Sequence, residues 1–298
     1  MSTNVLNIPE HVYATIQNYV IDTYREKYPT GLIPVENVDG MPYIHRIPTF
    51  SDLDVSKGVM DWDAEQARAD KILNYLEVPI MARQIKIAYT QRDLRAQGEA
   101  IINAKIQAIL TKFMDEIDYA VWHGNNEGNV TLSSGILGQA TEVDELDGVD
   151  NALVGAAGLL AALKKMVTSI PVKYRTNAPI VLISDWHFYD LCATTFLGTD
   201  TATSVAAAFK AAYPGVYWFQ TDHVLDSGDT AGTNYRLFAF AQDINVIRKV
   251  VAKEVSPVGP AIMDITGATE QLWGTLFAVK AVDATGVLYS KQITYSAS

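Results

Sequence analysis

Cysteine is nearly absent from this sequence, since Cys192 is the single one among 298 residues. It has no partner for an intrachain disulfide, which excludes a disulfide-stapled secreted domain. The first four residues, Met-Ser-Thr-Asn, lack the basic region and apolar core of a signal peptide. No segment approaches the roughly 18 continuous apolar residues of a membrane span. We therefore expect a soluble, intracellular, well-folded protein that has no membrane partner.

Positive charge is scarce as well. The chain carries 23 Lys and Arg against 34 Asp and Glu, which gives a formal net charge of −11. This balance argues against a nucleic-acid binder, because such proteins neutralise phosphates with Lys and Arg. Apolar residues make up 49% of the chain and charged residues only 19%, which excludes intrinsic disorder. The length exceeds that of most single domains and predicts two cores, or one core with large excursions.

Sequence signatures of enzyme chemistry are missing too. The chain contains no phosphate-binding glycine loop, no dinucleotide fingerprint and no Gly-x-Ser-x-Gly nucleophile elbow. Cys192 lies between Leu191 and Ala193, a setting typical of a small buried residue and not of a nucleophile. The acidic stretch at 142–150 does not have the ligand spacing of a calcium loop. We predict no catalytic site and no cofactor, which favours a structural protein.

Two short segments leave one enzymatic alternative open. Asp185 lies two residues before His187, and Asp222 directly precedes His223. A carboxylate beside an imidazole can bind a metal or act as an acid–base pair. No zinc-type spacing connects the two segments, and a helix start and a loop explain these histidines more simply. A metal-dependent enzyme centred on His187 is therefore the weaker hypothesis.

The most regular element is a predicted long helix over residues 91–122. Its apolar residues are spaced by three and four along one stripe. Gly124 marks the expected end of the helix, and His123 just before it suits the negative end of the helix dipole. A helix of about 30 residues is roughly 45 Å long, more than the diameter of a small domain. We expect it to serve as a spine for other elements.

An extended hairpin is predicted between residues 40 and 89. Apolar residues lead in over 43–50, charged residues dominate 52–66, and a second extended segment leads out over 71–89. Ile85, Ile87 and Tyr89 alternate with polar positions, the period-two pattern of a strand. An exposed hairpin of this size is costly for a monomer, because its backbone and apolar side chains need partners. The hairpin therefore indicates an assembly.

The remaining segments mix helices and strands without regular βαβ alternation, so the fold class is α+β. We predict an N-terminal helix and three further helices at residues 10–28, 151–169, 185–192 and 204–213. Predicted strands occupy residues 179–184, 216–220, 235–241, 244–251, 272–282 and 287–295. The last two strands are expected to return to the N-terminal helical region, because they have no neighbouring partners of their own.

Two short motifs, together with this order of elements, resemble a known family. The motifs are Asp-Glu-Ile-Asp-Tyr-Ala-Val-Trp-His-Gly at 115–124 and Ser-Gly-Ile-Leu-Gly at 134–138. They are similar to shell proteins of the Hong Kong 97-type fold, which include major capsid proteins of tailed viruses and encapsulin nanocompartments. The resemblance implies five segments. These are an N-terminal arm and helix of the peripheral domain (1–40), an extended loop (41–89), a spine helix of the peripheral domain (90–136), an axial domain (137–266) and C-terminal strands returning to the peripheral domain (267–298).

The same resemblance implies function by self-assembly. Copies of the chain would form the pentamers and hexamers of an icosahedral capsid around double-stranded DNA, without sequence-specific DNA binding. The implied location is a bacteriophage virion assembled in the host cytoplasm, with scaffold, portal or decoration proteins as further partners. An encapsulin-like shell around a cargo enzyme is the main alternative. A tail or adaptor component, which would form rings or tubes, is another.

The hairpin also supplies candidates for contacts between subunits. Trp62 is the predicted anchor, because aromatic residues dominate interface energetics. Oppositely charged side chains around it would set the register across an interface, although each of them is equally well explained as part of a solvated loop. These charged candidates are Lys57, Asp61, Asp63, Arg68 and Lys71.

Overall fold

A computed structural model describes residues 28–40, 44–49, 74–127, 130–146, 151–198, 203–226, 228–258, 262–263 and 268–297. Its helices are α1 (Gln91–His123), α2 (Gly155–Ser169), α3 (Val172–Asn177), α4 (Trp186–Thr194) and α5 (Val205–Ala212). Short 3₁₀ turns lie at Pro29–Leu32, Leu137–Gln139, Asp222–Val224 and Ala284–Gly286. Among the helices described, none combines the length and apolarity needed to cross a membrane.

The strands form two larger sheets and three small pairs. The first half of the chain contains β1 (Val35–Asn37), β2 (Ile44–Thr49), β3 (Asn74–Pro79), β4 (Met81–Thr90), β5 (Gly124–Glu127), β6 (Val130–Ser134) and β7 (Thr141–Val143). The second half contains β8 (Ala152–Val154), β9 (Ile180–Ser184), β10 (Val216–Gln220), β11 (Leu237–Ala241), β12 (Ile247–Pro257), β13 (Ile262–Met263), β14 (Ala268–Ala281), β15 (Val287–Ser290) and β16 (Thr294–Ser296).

The predicted spine helix is confirmed as α1, which has 33 residues and is therefore about 50 Å long. Its second half is buried along one stripe, where Leu110, Phe113, Ile117 and Val121 recur every three to four residues. Gly124 ends the helix with a φ of 81°, a left-handed conformation that glycine adopts without steric cost.

The first sheet packs against α1. In this sheet β14 lies between β4 on one side and β12 and β13 on the other, and β1 adds an edge strand to β12. Trp273 and Phe277 on β14 share a core cluster with the apolar stripe of α1. Ala278 points to the opposite face of the same sheet, as the strand period of two requires. The spine helix therefore covers only one face.

The second sheet has the strand order β10-β9-β11-β15-β7. Every residue of β9 and β11 is buried, which confirms the prediction of a strand covered on both faces at 179–184. The ring of Trp122, in the last turn of α1, lies 5.0 Å from the ring of Phe238 on β11 in an edge-to-face contact. The C-terminal end of the spine helix thus lies in one core cluster that contains buried side chains of both sheets.

The C-terminal strands differ from expectation. Only β14 joins the first sheet, whereas β15 lies between β11 and β7 in the second sheet, and β16 pairs with β8. Asp283 caps the 3₁₀ turn Ala284–Gly286 by accepting from the Thr285 amide at 3.0 Å, and this turn redirects the chain between the sheets. Residues 287–296 therefore pair with strands of the second sheet and with β8, and not with the strands that pack on α1. All four residues of β15 are buried, as befits an interior strand.

Two further local predictions were wrong. Residues 152–154, predicted as helix, form strand β8, and α2 begins only at Gly155, where a φ of 60° turns the chain. The segment after Gly124, read as turns, contains the antiparallel pair β5–β6. Both errors concern strands of three to five residues, which are too short to display a period.

The two motifs that suggested the family are in contact with each other. The Ile136 amide donates to the Val121 carbonyl at 2.9 Å, so the second motif lies against the C-terminal end of α1. Gly135 is buried there, and a Cβ atom at this position would overlap the Trp122 carbonyl oxygen and the Gly124 amide nitrogen. The close approach of two backbone segments explains the glycine.

We predict that Gly135→Ala destabilises the fold by about 3 kcal/mol, because the atoms it would strike belong to the backbone and cannot rotate away. Gly215→Ala is the matched control, since a Cβ there has open space, and it should change stability by less than about 0.5 kcal/mol. Thermal unfolding followed by circular dichroism measures both. Equal midpoints for the two variants would contradict the packing argument.

Candidate functional site

The base of the extended hairpin is fixed to the first sheet by its own small core. Strands β2 and β3 pair antiparallel, as predicted, with Ile44 opposite Pro79 and Ile47 opposite Leu76. Ile47 and Val78 are buried against Val250 and Ala278 on the sheet face opposite α1. This core fixes β2 and β3 against the first sheet.

The other face of the hairpin base is open. Ile44 and Tyr75 are 52% and 57% exposed, which is high for apolar side chains of their size. The ion pair between Arg46 and Glu77, with a nitrogen–oxygen distance of 3.0 Å, crosses the strands on the surface. Exposed pairs of this kind contribute little to stability. The apolar side chains are therefore the feature of this face that would favour a partner.

A charged cluster next to this base ties three strands together. Glu36 on β1 accepts from Arg248 of β12 at 2.9 Å and lies 3.3 Å from Nε2 of His45 on β2. Burial opposes ionisation of Glu36, but the hydrogen bond and charge of Arg248, with His45, outweigh it and hold the pKa of Glu36 below its usual range. The hairpin is thus connected to the edge of the first sheet by charge as well as by apolar packing.

The predicted contact candidates belong to the outer part of the hairpin. Trp62 and the charged residues around it lie outside the residues that the structure describes. Their roles remain predictions. The described part of the hairpin shows only that its two strands pair and contribute Ile47 and Val78 to the small core.

A second notable site is a buried carboxylate on α1. Asp118 has no exposed surface. It accepts from the hydroxyl of Thr30, from the Trp122 indole at 3.1 Å, and pairs with Nδ1 of His223 at 2.8 Å. These partners come from the 3₁₀ turn Pro29–Leu32, from α1 itself and from the 3₁₀ turn Asp222–Val224. Asp118 therefore joins three separate parts of the chain.

The charge of Asp118 affects the pKa values of Lys249 and His223. Lys249 on β12 is buried, which lowers its pKa to about 8 although the Asp118 charge acts in the opposite direction. Burial would also lower the pKa of His223, but the hydrogen bond and charge of Asp118, with the charges of Asp115 and Asp222, raise it above its usual value. His223 is thus held at hydrogen-bond distance from a carboxylate that water cannot reach.

The segments that kept an enzymatic alternative open have structural roles here. Asp185 caps α4 by accepting from the Phe188 amide at 2.8 Å, and it also accepts from the Arg236 amide at 3.3 Å. His187 is exposed on α4, whereas His223 points to α1. Within the described ranges no group of three or more His, Cys, Asp or Glu is arranged to hold a metal ion.

Three other sequence interpretations can be compared with the structure. Cys192 is buried, and burial raises the pKa of its thiol, in keeping with a packing role. Asp144, in the acidic stretch, pairs with Lys291 at 2.8 Å. His123 is only partly exposed at the end of α1, and burial lowers the pKa of its imidazole, which disfavours the dipole-stabilising cation expected there.

Sequence reasoning missed Asp118 and Glu36. Asp118 was quoted only as part of a motif, although it lies in the buried half of α1 between Ile117 and Val121. A carboxylate four residues before a tryptophan on an apolar helix face was the available signal. Glu36 gave none, because Arg248 is 212 residues away and His45 lies on a different strand.

No protein-family model matches this chain, and no curated protein matches it by sequence. Solved structures do match it. The capsid of Myoviridae phage XM1 aligns with a TM-score of 0.61 and 14% identity over 90% of each chain. A chain of Gordonia phage Cozz gives a TM-score of 0.59 and 13% identity, covering 90% of this chain and 86% of its own.

A virus-like particle from Pyrococcus furiosus also matches, with a TM-score of 0.57 and 14% identity, covering 94% of this chain and 99% of its own. At these identities the likeness establishes the fold. The fold is the α+β fold of Hong Kong 97-type shell proteins, as the sequence motifs indicated.

We predict that Ile47→Ala releases the hairpin base. Truncation of a buried isoleucine removes about 2–5 kcal/mol of packing energy, and the small core around Ile47 offers few other contacts. Ile44→Ala on the same strand is the matched control, because Ile44 is exposed in the subunit. Hydrogen exchange of β2 and β3 should accelerate only in the Ile47 variant. Equal exchange in both variants would show that other contacts hold the base.

Proposed function

We propose that this protein is a major capsid protein that self-assembles into an icosahedral shell around a double-stranded DNA genome. The observation that carries the proposal is the agreement of its fold with a phage capsid over 90% of both chains. Capsids of gene transfer agent particles share the fold as well. The protein would act through its surfaces and perform no chemistry on a small substrate.

The hairpin base supports assembly. A closed shell of pentamers and hexamers needs one contact repeated many times, with elements that reach from one subunit to the next. Here Ile47 and Val78 fix the two hairpin strands to the first sheet, while Ile44 and Tyr75 offer exposed apolar surface. A hairpin that docks on a neighbouring subunit requires a fixed base and exposed apolar side chains on its outer face.

The charge of the chain suits a DNA container. With a net charge of −11, the subunit surface repels phosphate, so that packaged duplex would not adhere to the wall. On this proposal the protein resides in a virion, is assembled in the host cytoplasm and works with scaffold, portal or decoration proteins. No membrane and no sequence-specific DNA contact is involved.

The division of the subunit follows from the two sheets. We assign the peripheral domain to the first sheet together with α1 and the hairpin base, and the axial domain to the second sheet. The pairing of β15 with the second sheet and of β16 with β8 supports placing residues 287–296 in the axial domain, in place of the sequence-based boundary at 267. The segments 1–40, 41–89 and 90–136 keep their boundaries, whereas β12 and β13 belong to the first sheet, so the axial segment that begins at 137 ends before Ile247 instead of at 266.

A shell around a protein cargo is the second candidate. It is favoured by the match to the Pyrococcus furiosus virus-like particle, of which 99% is covered. An encapsulin-like compartment would use the same fold and the same hairpin contact. The two proposals differ in what the particle encloses.

Negative-stain electron microscopy of the purified protein at several concentrations tests both proposals. Closed particles tens of nanometres across support a shell, and extraction of nucleic acid or protein from them distinguishes genome from cargo. Rings or tubes would contradict the shell and indicate a tail or adaptor component. A uniform small oligomer that stays unchanged when phage scaffold proteins are supplied would overturn the proposal and direct attention to His187 and metal analysis.

We further predict that Trp62→Ala lowers the yield of closed particles at least about tenfold while the subunit stays folded, because loss of a buried aromatic anchor removes 2 kcal/mol or more per contact. Trp62→Phe is the control and should keep most of the assembly. Circular dichroism reports folding, and sedimentation reports particle yield. Normal yield from the alanine variant would exclude Trp62 as the anchor.

A further inference from the structure

The imidazole of His223 lies between two carboxylates of the same helix. Its Nδ1 is 2.8 Å from Oδ2 of Asp118, and its Nε2 is 3.5 Å from Oδ1 of Asp115, one turn earlier on α1. Both ring nitrogens therefore face negative charge, one buried and one exposed. Such an arrangement is specific to a ring that can donate from both sides.

The segment that carries His223 is anchored to the second sheet. The Thr221 amide donates to the Ser184 carbonyl at 2.9 Å, and the buried Tyr289 hydroxyl donates to the Val224 carbonyl at 3.0 Å. The position of His223 is thus set by β9 and β15, whereas its two carboxylate partners belong to α1. The ring bridges the second sheet and the spine helix.

Protonation decides how many of these contacts exist. An imidazolium donates to Asp118 and at the same time attracts the Asp115 carboxylate as an ion pair. A neutral ring with its proton on Nδ1 keeps the Asp118 bond but presents the Nε2 lone pair to the Asp115 carboxylate, which is repulsive. When the ring loses one proton, its contact with Asp118 therefore stays attractive, but its contact with Asp115 becomes repulsive.

The surrounding charges favour the protonated ring. From its own segment Asp222 adds negative charge, and from α1 Asp115 and Asp118 do so. Positive charge next to the ring comes from His123, when protonated, because its imidazole hydrogen-bonds the backbone of His223, while Asp226 acts on His123 in turn. The acidic groups outweigh burial, and the pKa of His223 is raised as a result.

We propose that His223 is a proton-operated clamp that holds the second sheet against the spine helix when the imidazole is charged and loosens it when the imidazole is neutral. The clamp is a property of the subunit and does not depend on what a shell would enclose. In a shell it would make the stiffness between the two sheets depend on pH.

The direction of the effect follows from linkage. A histidine whose pKa is raised in the folded state contributes its full stabilisation below the unfolded value of about 6.5, and this is lost as the pH rises through the folded-state pKa. The clamp is therefore closed in mild acid and open in mild alkali.

Hydrogen–deuterium exchange of the full chain, in the oligomeric state in which it is purified, tests the clamp. The wild type and His223→Gln are compared at the same pH, so that intrinsic exchange rates cancel. At about pH 5.5 amides in residues 221–226 and 115–123 of the wild type should exchange about tenfold more slowly than in the variant, and at about pH 8.5 the difference should be smaller, because only the bond to Asp118 remains. A difference that is the same at both pH values would indicate a merely structural role and overturn the proposal.

Matched variants identify the second contact. The pH-dependent step is the change in amide exchange between about pH 5.5 and about pH 8.5. Asp115→Asn should reduce this step, whereas Glu116→Gln, at the neighbouring exposed carboxylate on α1, should leave it intact. His187→Gln controls for loss of an exposed histidine elsewhere and should also retain the step. If His223→Gln fails to fold, the comparison of Asp115→Asn with Glu116→Gln decides. Equal steps in those two variants, or loss of the step in His187→Gln, would contradict the clamp.

Discussion

The structure depends on one buried charge, the carboxylate of Asp118, and on the donors gathered around it. Removing a carboxylate from water costs several kcal/mol, and this cost is offset only when its oxygens are fully hydrogen-bonded. Thr30, Trp122 and His223 supply those bonds from three parts of the chain. Because a misplaced partner would leave a buried charge unsatisfied, the spine helix, the N-terminal 3₁₀ turn and the second sheet have little freedom to pack in another arrangement.

This constraint explains how one subunit can be rigid at its centre and open at its edge. The C-terminal turn of α1 lies in the core cluster shared by the two sheets. The Trp122 indole donates a hydrogen bond to Asp118, and its ring packs edge-to-face against Phe238. The hairpin, in contrast, is held by a separate core of four side chains and by Glu36. The tightly packed centre fixes the orientation of the hairpin base, and the exposed apolar side chains on that base remain available to a partner.

Sequence reasoning could predict the elements with a strong local signal. The three-to-four spacing fixed the extent of α1, and unbroken apolar runs located β9 and β11, although their boundaries shifted by a few residues. Strand pairing could not be predicted, because a run such as 287–290 shows that a strand is buried but not beside which strand it lies. Asp118 was overlooked for a similar reason, since the partners that give it meaning are about 90 and 105 residues away. The Hong Kong 97-type fold was predicted from the family resemblance and not from local patterns. The hairpin contacts around Trp62 stay predictions.

The path of the chain between the sheets has a consequence for synthesis on the ribosome. Strand β14 is the member that joins β4 to β12, so the first sheet has no continuous hydrogen-bond network until residue 281 has been made. The second sheet is completed later still, when β15 is added between β11 and β7. Contacts of such long sequence separation form slowly and cooperatively. An unfinished chain can therefore pair β9 with β10 and β11, but it lacks the joined first sheet and the Ala278 side chain that completes the small core of the hairpin base.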